Sequence, residues 1–124
     1  QALMAMDYRP LPLAGTGAPD EKVVDIGIQR TLDALTQRAE SGQHVQVLLG
    51  SHDGDYVPQI ERLLDAGASV GVLCFREFLS THLASLQDKG LRVHDLEYDV
   101  DAFTSTLPRI RIIPLAEFDP FAFI

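Results

Sequence analysis

The sequence contains a single cysteine and no long apolar run. Cys74 cannot form a disulfide within the chain, and its apolar neighbours in Val70–Phe75 predict a small buried side chain. No stretch of about 18 apolar residues is present, which excludes a membrane-spanning helix and a membrane partner. The first residues lack the basic stretch and apolar core of a secretory signal, so we expect a cytoplasmic location.

Basic residues are also scarce. Lysine and arginine total 10 against 18 aspartates and glutamates, which gives a formal net charge of −8. Such a chain does not attract polyanions over its whole surface, and a nucleic acid would have to bind at a local site. With 124 residues, 46% hydrophobic and 23% charged, the composition is typical of one globular domain and excludes disorder for most of the chain.

Helix and strand patterns alternate through the middle of the chain. Apolar residues at helical spacing predict a helix over about residues 23–40. Further patterns predict, in order, a strand at about 45–49, a helix at 56–66, a strand at 69–75, a helix at 78–87 and a strand at 91–95. This alternation predicts an α/β fold with a mainly parallel sheet and helices on both faces, which is a three-layer α/β/α arrangement.

The two ends of the chain are less regular. Residues 1–6 are typical of the end of an amphipathic helix, and the proline-containing segment Tyr8–Leu13 predicts an edge strand. A further strand at the sheet edge is predicted from Ile110, Ile112 and Ile113. Apolar residues then cluster at the end of the chain, which predicts a contact with the domain, with a second copy or with a protein partner: Phe118, Phe121, Phe123 and Ile124.

The loop after the strand at 45–49 is the most distinctive polar feature. In Ser51–Asp55, two carboxylates stand two residues apart on a turn that contains glycine and serine. Ligands of parallel sheets bind beyond the carboxyl ends of the strands, which is where this turn falls. Carboxylate and hydroxyl oxygens are the ligands that Mg²⁺ and Mn²⁺ prefer. The alternative is structural, with Asp55 as a helix cap and Asp53 as a stabiliser of the turn.

A second acidic candidate lies at the start of the long helix. Asp25 falls in the first turn, where a negative charge also favours the helix dipole. Asp33 lies about 12 Å further along the helix, so we do not expect it to share a cation with Asp25. Lys22 precedes the helix and is a candidate phosphate contact, although an exposed lysine at a helix start is commonly just solvated.

Three segments taken together resemble the NYN domain family, a branch of the PIN-like nucleases. They are Glu21–Ile26, Leu48–Pro58 and Ala66–Val72, and they keep the order and approximate spacing of that family. The similarity extends through Phe78–Leu83 and covers about residues 3–96. It implies a PIN-like domain over residues 1–96, incomplete at its N-terminus, followed by an extension over 97–124 that packs on the domain or on a partner.

The resemblance also implies an activity. NYN domains are metal-dependent endoribonucleases, and a cation lowers the pKa of bound water and offsets charge on the phosphate. By position, Asp25, Asp53 and Asp55 would be the catalytic, metal-holding carboxylates, with Mg²⁺ or Mn²⁺ as cofactor. Lys22, Ser51 and His52 would contact an RNA substrate, and Arg30 or Arg76 would add positive charge.

The sequence departs from the family at three points. The family's first strand, which brings an aspartate and an asparagine to the pocket, has no counterpart here. Thr31 stands where many members carry a further acidic residue, and His52 replaces the usual glycine. These departures favour the alternative of a catalytically impaired RNA-binding or scaffold module. A third interpretation, the Asp-x-Asp nucleophile of haloacid-dehalogenase-like phosphatases, is disfavoured because three residues separate Asp53 from the strand.

Overall fold

The computed structural model describes residues 2–108 and 112–124. Three strands form one parallel sheet in the order β1 (Gln46–Gly50), β2 (Ser69–Cys74) and β3 (Arg92–Asp95). The principal helices are α2 (Val23–Glu40) and α3 (Val57–Asp65), and two short ones are α1 (Ala2–Ala5) and α4 (Thr81–Ser85). The predicted α/β class with a parallel sheet is confirmed.

The core lies on one face of the sheet. Ile60 and Leu63 of α3 and Leu83 of α4 are fully buried and belong to the same apolar cluster as Val70 and Val72 of β2. The strands follow one another in a single direction across the sheet, so right-handed crossovers put α3 and α4 on the same side. In the described part of the chain, no second helix layer covers the other face.

Glycines end the elements where the chain must turn back sharply. Gly67 follows α3 with φ of 88°, and Gly90 precedes β3 with φ of 105°, both in the left-handed region that other residues rarely adopt. After Gly67 the chain enters β2, whose central position buries Cys74. This burial confirms the prediction of a small buried side chain at Cys74. Burial, and to a smaller extent the charge of Asp95, raises the pKa of the Cys74 thiol.

The central elements agree with the sequence patterns within one or two residues. The long helix is confirmed at Val23–Glu40. The first strand is shifted by one residue at both ends, and the other two strands are shorter than predicted by one residue at one end. The helix expected at 78–87 is wrong in length, because α4 spans five residues between two 3-10 turns. Ser80 is extended, and its N–H donates to the carbonyl of His52 in another loop, so a tertiary contact replaces the first helical turn.

The edge strand predicted at Tyr8–Leu13 is also wrong. Pro10 and Pro12 remove two backbone donors, and the segment lies against α2 instead of joining the sheet. The approach is close, since a Cβ on Gly27 would lie 2.5 Å from Leu13 Cδ1. The outer edge of β1 therefore pairs with no described strand, and Leu48 is 62% exposed there.

Of the remaining predictions for the two ends of the chain, the helix at the start is confirmed and the strand near the end is not observed among the described residues. Ala2–Ala5 is helical, as the pattern indicates, and its residues are exposed. Ile112 and Ile113 lie in no strand, because this segment makes no ladder with the sheet, and Ile110 lies outside the described residues. Within residues 2–108 and 112–124, none of the helices has the length and apolarity needed to cross a membrane.

Replacement of Ile60 by alanine tests the location of the core. Ile60 is completely buried between α3 and the sheet, so Ile60→Ala should lower the free energy of unfolding by about 2–5 kcal/mol. Val24→Ala, on the exposed side of α2, should change it by less than about 0.5 kcal/mol. Urea denaturation of both variants measures the difference, and equal effects would contradict the core as described.

Candidate functional site

The loop after β1 is held in shape by its own side chains. The Ser51 hydroxyl accepts a hydrogen bond from the Asp53 N–H at 3.1 Å, and Asp53 Oδ1 accepts one from the Asp55 N–H at 3.0 Å. Asp53 thereby caps a 3-10 turn, Gly54–Tyr56, that leads into α3. The structural role expected for Asp53 is confirmed. The helix cap expected at Asp55 is wrong, because the intervening turn makes Tyr56 the residue before α3.

Three aspartates meet where this loop passes the start of α2. One carboxylate oxygen each from Asp25, Asp53 and Asp55 lies within 4.8 Å of the others, and we call this group the acidic cluster. Asp25 belongs to the first turn of α2, whereas the other two come from the loop at the carboxyl end of β1. The packing of α2 beside α3 thus brings together carboxylates that are distant in sequence.

Tyr56 fixes the orientation of Asp25. Its side chain is 3% exposed, and its hydroxyl donates to Asp25 Oδ1 at 2.9 Å. Burial, then the hydrogen bond to Asp25 and the negative charges of the cluster, together raise the pKa of Tyr56 to about 12. Tyr56 therefore stays a neutral donor. The sequence patterns did not indicate Tyr56 as a site residue.

Lys22 lies across the outer side of the acidic cluster. Its ammonium nitrogen is 3.5 Å from Asp55 Oδ2 and 3.9 Å from Asp25 Oδ2. The lysine side chain is largely exposed, so these ion pairs contribute little to stability. They do offset part of the repulsion among the carboxylates.

Gln29 lies one helical turn after Asp25 in α2. Its side-chain amide donates to the carbonyl of Asp55 at 3.3 Å, which ties the loop to the helix.

Ser51 and His52 directly precede the two loop carboxylates of the cluster, and each makes a contact that shapes the loop. The Ser51 hydroxyl is occupied with the Asp53 N–H, and the His52 carbonyl accepts from Ser80. The imidazole of His52 is exposed, with its centroid 6.2 Å from that of Phe78 in a tilted arrangement. Both residues remain close enough in sequence to Asp53 to flank a ligand at the cluster.

The other polar residues of α2 point elsewhere. The Thr31 hydroxyl donates to the carbonyl of Gly27 at 2.8 Å, within its own helix. Asp33 pairs with Arg62 at 2.9 Å, which confirms the expectation that it does not join Asp25. Arg30 is exposed on the same helix, beside the N-terminal segment.

Arg76 is engaged away from the acidic cluster. Its guanidinium lies 2.7 Å from Asp99 and donates to the carbonyl of Val93. The N–H of Asp95 holds the pKa of Asp99 below its usual range, and Arg76 adds to the effect. The structure therefore gives Arg76 a role at the end of β3, and Lys22 is the basic residue that the described part of the chain places beside the cluster.

The donor set of the cluster suits a hard divalent cation. Each aspartate offers a carboxylate oxygen, and Mg²⁺ and Mn²⁺ are bound through such oxygens together with water and phosphate. Three carboxylates and one lysine leave a local charge of −2 at the mouth of the site. A cation would relieve that repulsion, so the residues present fit the metal implied by the sequence.

No model of a protein family matches the chain, and neither does any curated protein or any solved structure.

The pH dependence of stability tests the environment of Tyr56. Because its pKa is higher in the folded chain than the ordinary value of 10.0, the folded state keeps the proton more tightly than the unfolded state. The resulting stabilisation is complete below pH 10 and should be lost as the pH rises towards 12. Urea denaturation of wild type and Tyr56→Phe at about pH 9 and about pH 11.5 measures this. Equal pH dependence in the two proteins would contradict the raised pKa of Tyr56.

Proposed function

We propose that this chain is a divalent-metal-dependent endoribonuclease of the NYN type. The observation that carries the proposal is the convergence of Asp25, Asp53 and Asp55 from α2 and the β1 loop. The convergence lies at the carboxyl end of a parallel sheet, where ligands of such sheets bind. The proposal includes the PIN-like, three-layer form of the fold, of which the described residues supply the sheet and one helix layer.

Each residue of the site would have a separate role. Asp25, Asp53 and Asp55 would hold Mg²⁺ or Mn²⁺, with Tyr56 keeping the Asp25 carboxylate in place. When bound, the cation would supply an activated water and a counter-charge for the phosphate. Lys22 would exchange its ion pairs with the cluster for a contact to a phosphate oxygen of the substrate.

Two exposed aromatic rings support RNA as the substrate. His52 directly precedes Asp53 and is exposed, Phe78 is 44% exposed, and their ring centroids lie 6.2 Å apart in a tilted arrangement. Unpaired bases stack on such rings, and single-stranded RNA presents its bases in this way. The net charge of −8 limits binding elsewhere on the chain, so substrate would be confined to this point.

A specific observation favours a second candidate, a catalytically impaired NYN-fold module that binds RNA or acts as a scaffold. The hydroxyl of Thr31, at a position often acidic in the family, is committed to the carbonyl of Gly27. The described residues then offer three carboxylates with which to hold a cation. Such a module would bind cation or RNA and leave the phosphodiester bond intact.

Thermal unfolding tests the cation site without reference to activity. A ligand that binds only the folded chain stabilises it by about 2.7 kcal/mol at 100 times its Kd. Mn²⁺ or Mg²⁺ should therefore raise the Tm of wild type by several degrees, and the shift should disappear in Asp53→Asn. Asp33→Asn, a matched change on an aspartate outside the cluster, should keep it. Equal shifts in all three proteins would exclude the acidic cluster as the site.

Cleavage of a labelled single-stranded RNA tests the activity. With Mn²⁺ present we expect cleavage by wild type and by Asp33→Asn, and a loss of about 100-fold or more in Asp53→Asn and Asp55→Asn, because electrostatic stabilisation of the phosphate is lost. Cation binding without cleavage in wild type would favour the scaffold candidate. Cleavage that survives both substitutions would refute the assignment of these residues.

A further inference from the structure

Lys22 stands at a position where the physics of helices disfavours a positive charge. It is the residue directly before α2, and its side chain makes no capping hydrogen bond to the helix. Helix starts favour serine, threonine, aspartate or asparagine, and the partial positive charge of the first turn repels a lysine. The side chain is 67% exposed, so packing does not account for it either. A residue that opposes local stability in this way is typical of a functional site.

The ammonium group of Lys22 joins the two elements that build the acidic cluster. It lies 3.9 Å from Asp25 Oδ2 in α2 and 3.5 Å from Asp55 Oδ2 in the loop after β1. Tyr56 donates to the other oxygen of Asp25. Lys22 therefore faces the oxygen of Asp25 that the hydrogen bond from Tyr56 leaves free.

The same carboxylates would hold a divalent cation. Asp25 and Asp55 supply two of the three carboxylate oxygens that lie within 4.8 Å of one another in the cluster. A cation bound there would share its ligands with Lys22. Two positive charges a few ångströms apart repel each other, and more strongly beside a protein than in bulk water. The ammonium group and a bound cation therefore exclude each other.

Little holds the ammonium group of Lys22 at the cluster. Its ion pairs are largely exposed, and such pairs contribute little to stability. The group is carried on a flexible four-carbon stem. The backbone is fixed, because the carbonyl of Lys22 accepts a hydrogen bond from the N–H of Ile26 at 3.0 Å. The ammonium group can thus move away from the carboxylates while the residue stays at the start of α2.

We propose that Lys22 is a tethered competitor of the divalent cation at the acidic cluster. This inference rests on the cation site of the proposed function and concerns its regulation. Lys22 lowers the affinity of the cluster for the cation, and it gives up Asp25 and Asp55 when the cation binds. Its ammonium group is then released to a phosphate of the substrate. Cation binding therefore precedes and favours RNA binding, and the coupling between them runs through Lys22.

Other contacts already hold the loop to α2. Tyr56 donates to Asp25, and Gln29 donates to the carbonyl of Asp55 at 3.3 Å. Removal of the Lys22 charge should therefore leave the three carboxylates together and strengthen cation binding. If Lys22 were instead needed to assemble the cluster, its removal would separate the carboxylates and weaken cation binding. The sign of the change in cation affinity distinguishes the two roles.

Mn²⁺ titration followed by electron paramagnetic resonance measures cation binding without reference to cleavage. Lys22→Gln should bind Mn²⁺ about three- to tenfold more tightly than wild type, because exposed ion pairs of modest strength no longer compete. Lys22→Arg keeps the positive charge and should bind no more tightly than wild type. Lys89→Gln is the matched control. It changes the net charge equally, but Lys89 pairs with Glu61 and Asp65 outside the cluster, so the affinity should stay that of wild type.

The outcomes of this titration separate the inference from the proposed function. Unchanged or weaker binding by Lys22→Gln would overturn the competition, and the cation site would still stand if Asp53→Asn abolishes binding. Equal gains in Lys22→Gln and Lys89→Gln would show an effect of overall charge and would also overturn it. Absence of Mn²⁺ binding in both wild type and Lys22→Gln would refute the cation site itself, and the inference with it.

Nuclear magnetic resonance observes the displacement directly, because Lys22 and Lys89 are the only lysines in the sequence. In protein labelled with isotopes at lysine, Mg²⁺ should shift the side-chain signal of Lys22 and leave that of Lys89 in place. The Lys22→Gln variant assigns the two signals, and Asp53→Asn should abolish the shift. A Lys22 signal that does not move while Mg²⁺ saturates the cluster would overturn the proposal.

Discussion

The parallel pairing of β1 with β2 is the constraint on which the rest of the structure depends. Parallel neighbours cannot be joined by a tight turn, so the chain must cross over through α3, and that helix supplies Ile60 and Leu63 to the core. The same pairing ends β1 at Gly50 and sends the next five residues to the carboxyl edge of the sheet. There they meet α2, which is held in place by its packing on α3. The acidic cluster is a consequence of this crossover.

Within the acidic cluster, the buried hydrogen bond of Tyr56 positions a carboxylate more firmly than the exposed ion pairs of Lys22 do. The ion pairs of Lys22 are exposed, and exposed pairs contribute only about 0–1 kcal/mol each. Tyr56 is different, because its ring belongs to the apolar core while its hydroxyl reaches Asp25. Displacing Asp25 would leave a buried hydroxyl without its partner, which is unfavourable by about 1–3 kcal/mol. The core thus fixes the position of one of the carboxylates, whereas Lys22 is held only by exposed ion pairs.

Much of the fold could be predicted from periodicity, since α2, α3 and the three strands carry clear patterns that agree with their burial. The errors arose where contacts between distant segments override local preference, as at Ser80, or where proline suggests extension without a pairing partner, as at Tyr8–Leu13. Spacing alone could not bring Asp25 to Asp53, and only the resemblance to NYN domains suggested it. A signal for Tyr56 was present. It stands one residue before α3 and continues, at helical spacing, the buried stripe of Ile60 and Leu63, and a buried tyrosine requires a partner for its hydroxyl.

The unpaired outer edge of β1 bears on how readily copies of the protein aggregate. Its sequence, Gln46–Gly50, contains neither a charge nor a proline, which are the features that protect exposed edges from pairing with other chains. Protection must then come from the whole molecule, through mutual repulsion between copies with eight excess negative charges. This repulsion reaches about 30 Å at 0.01 M salt and only about 3 Å at 1 M. Salt would therefore decide whether concentrated samples stay dispersed or grow into edge-paired aggregates.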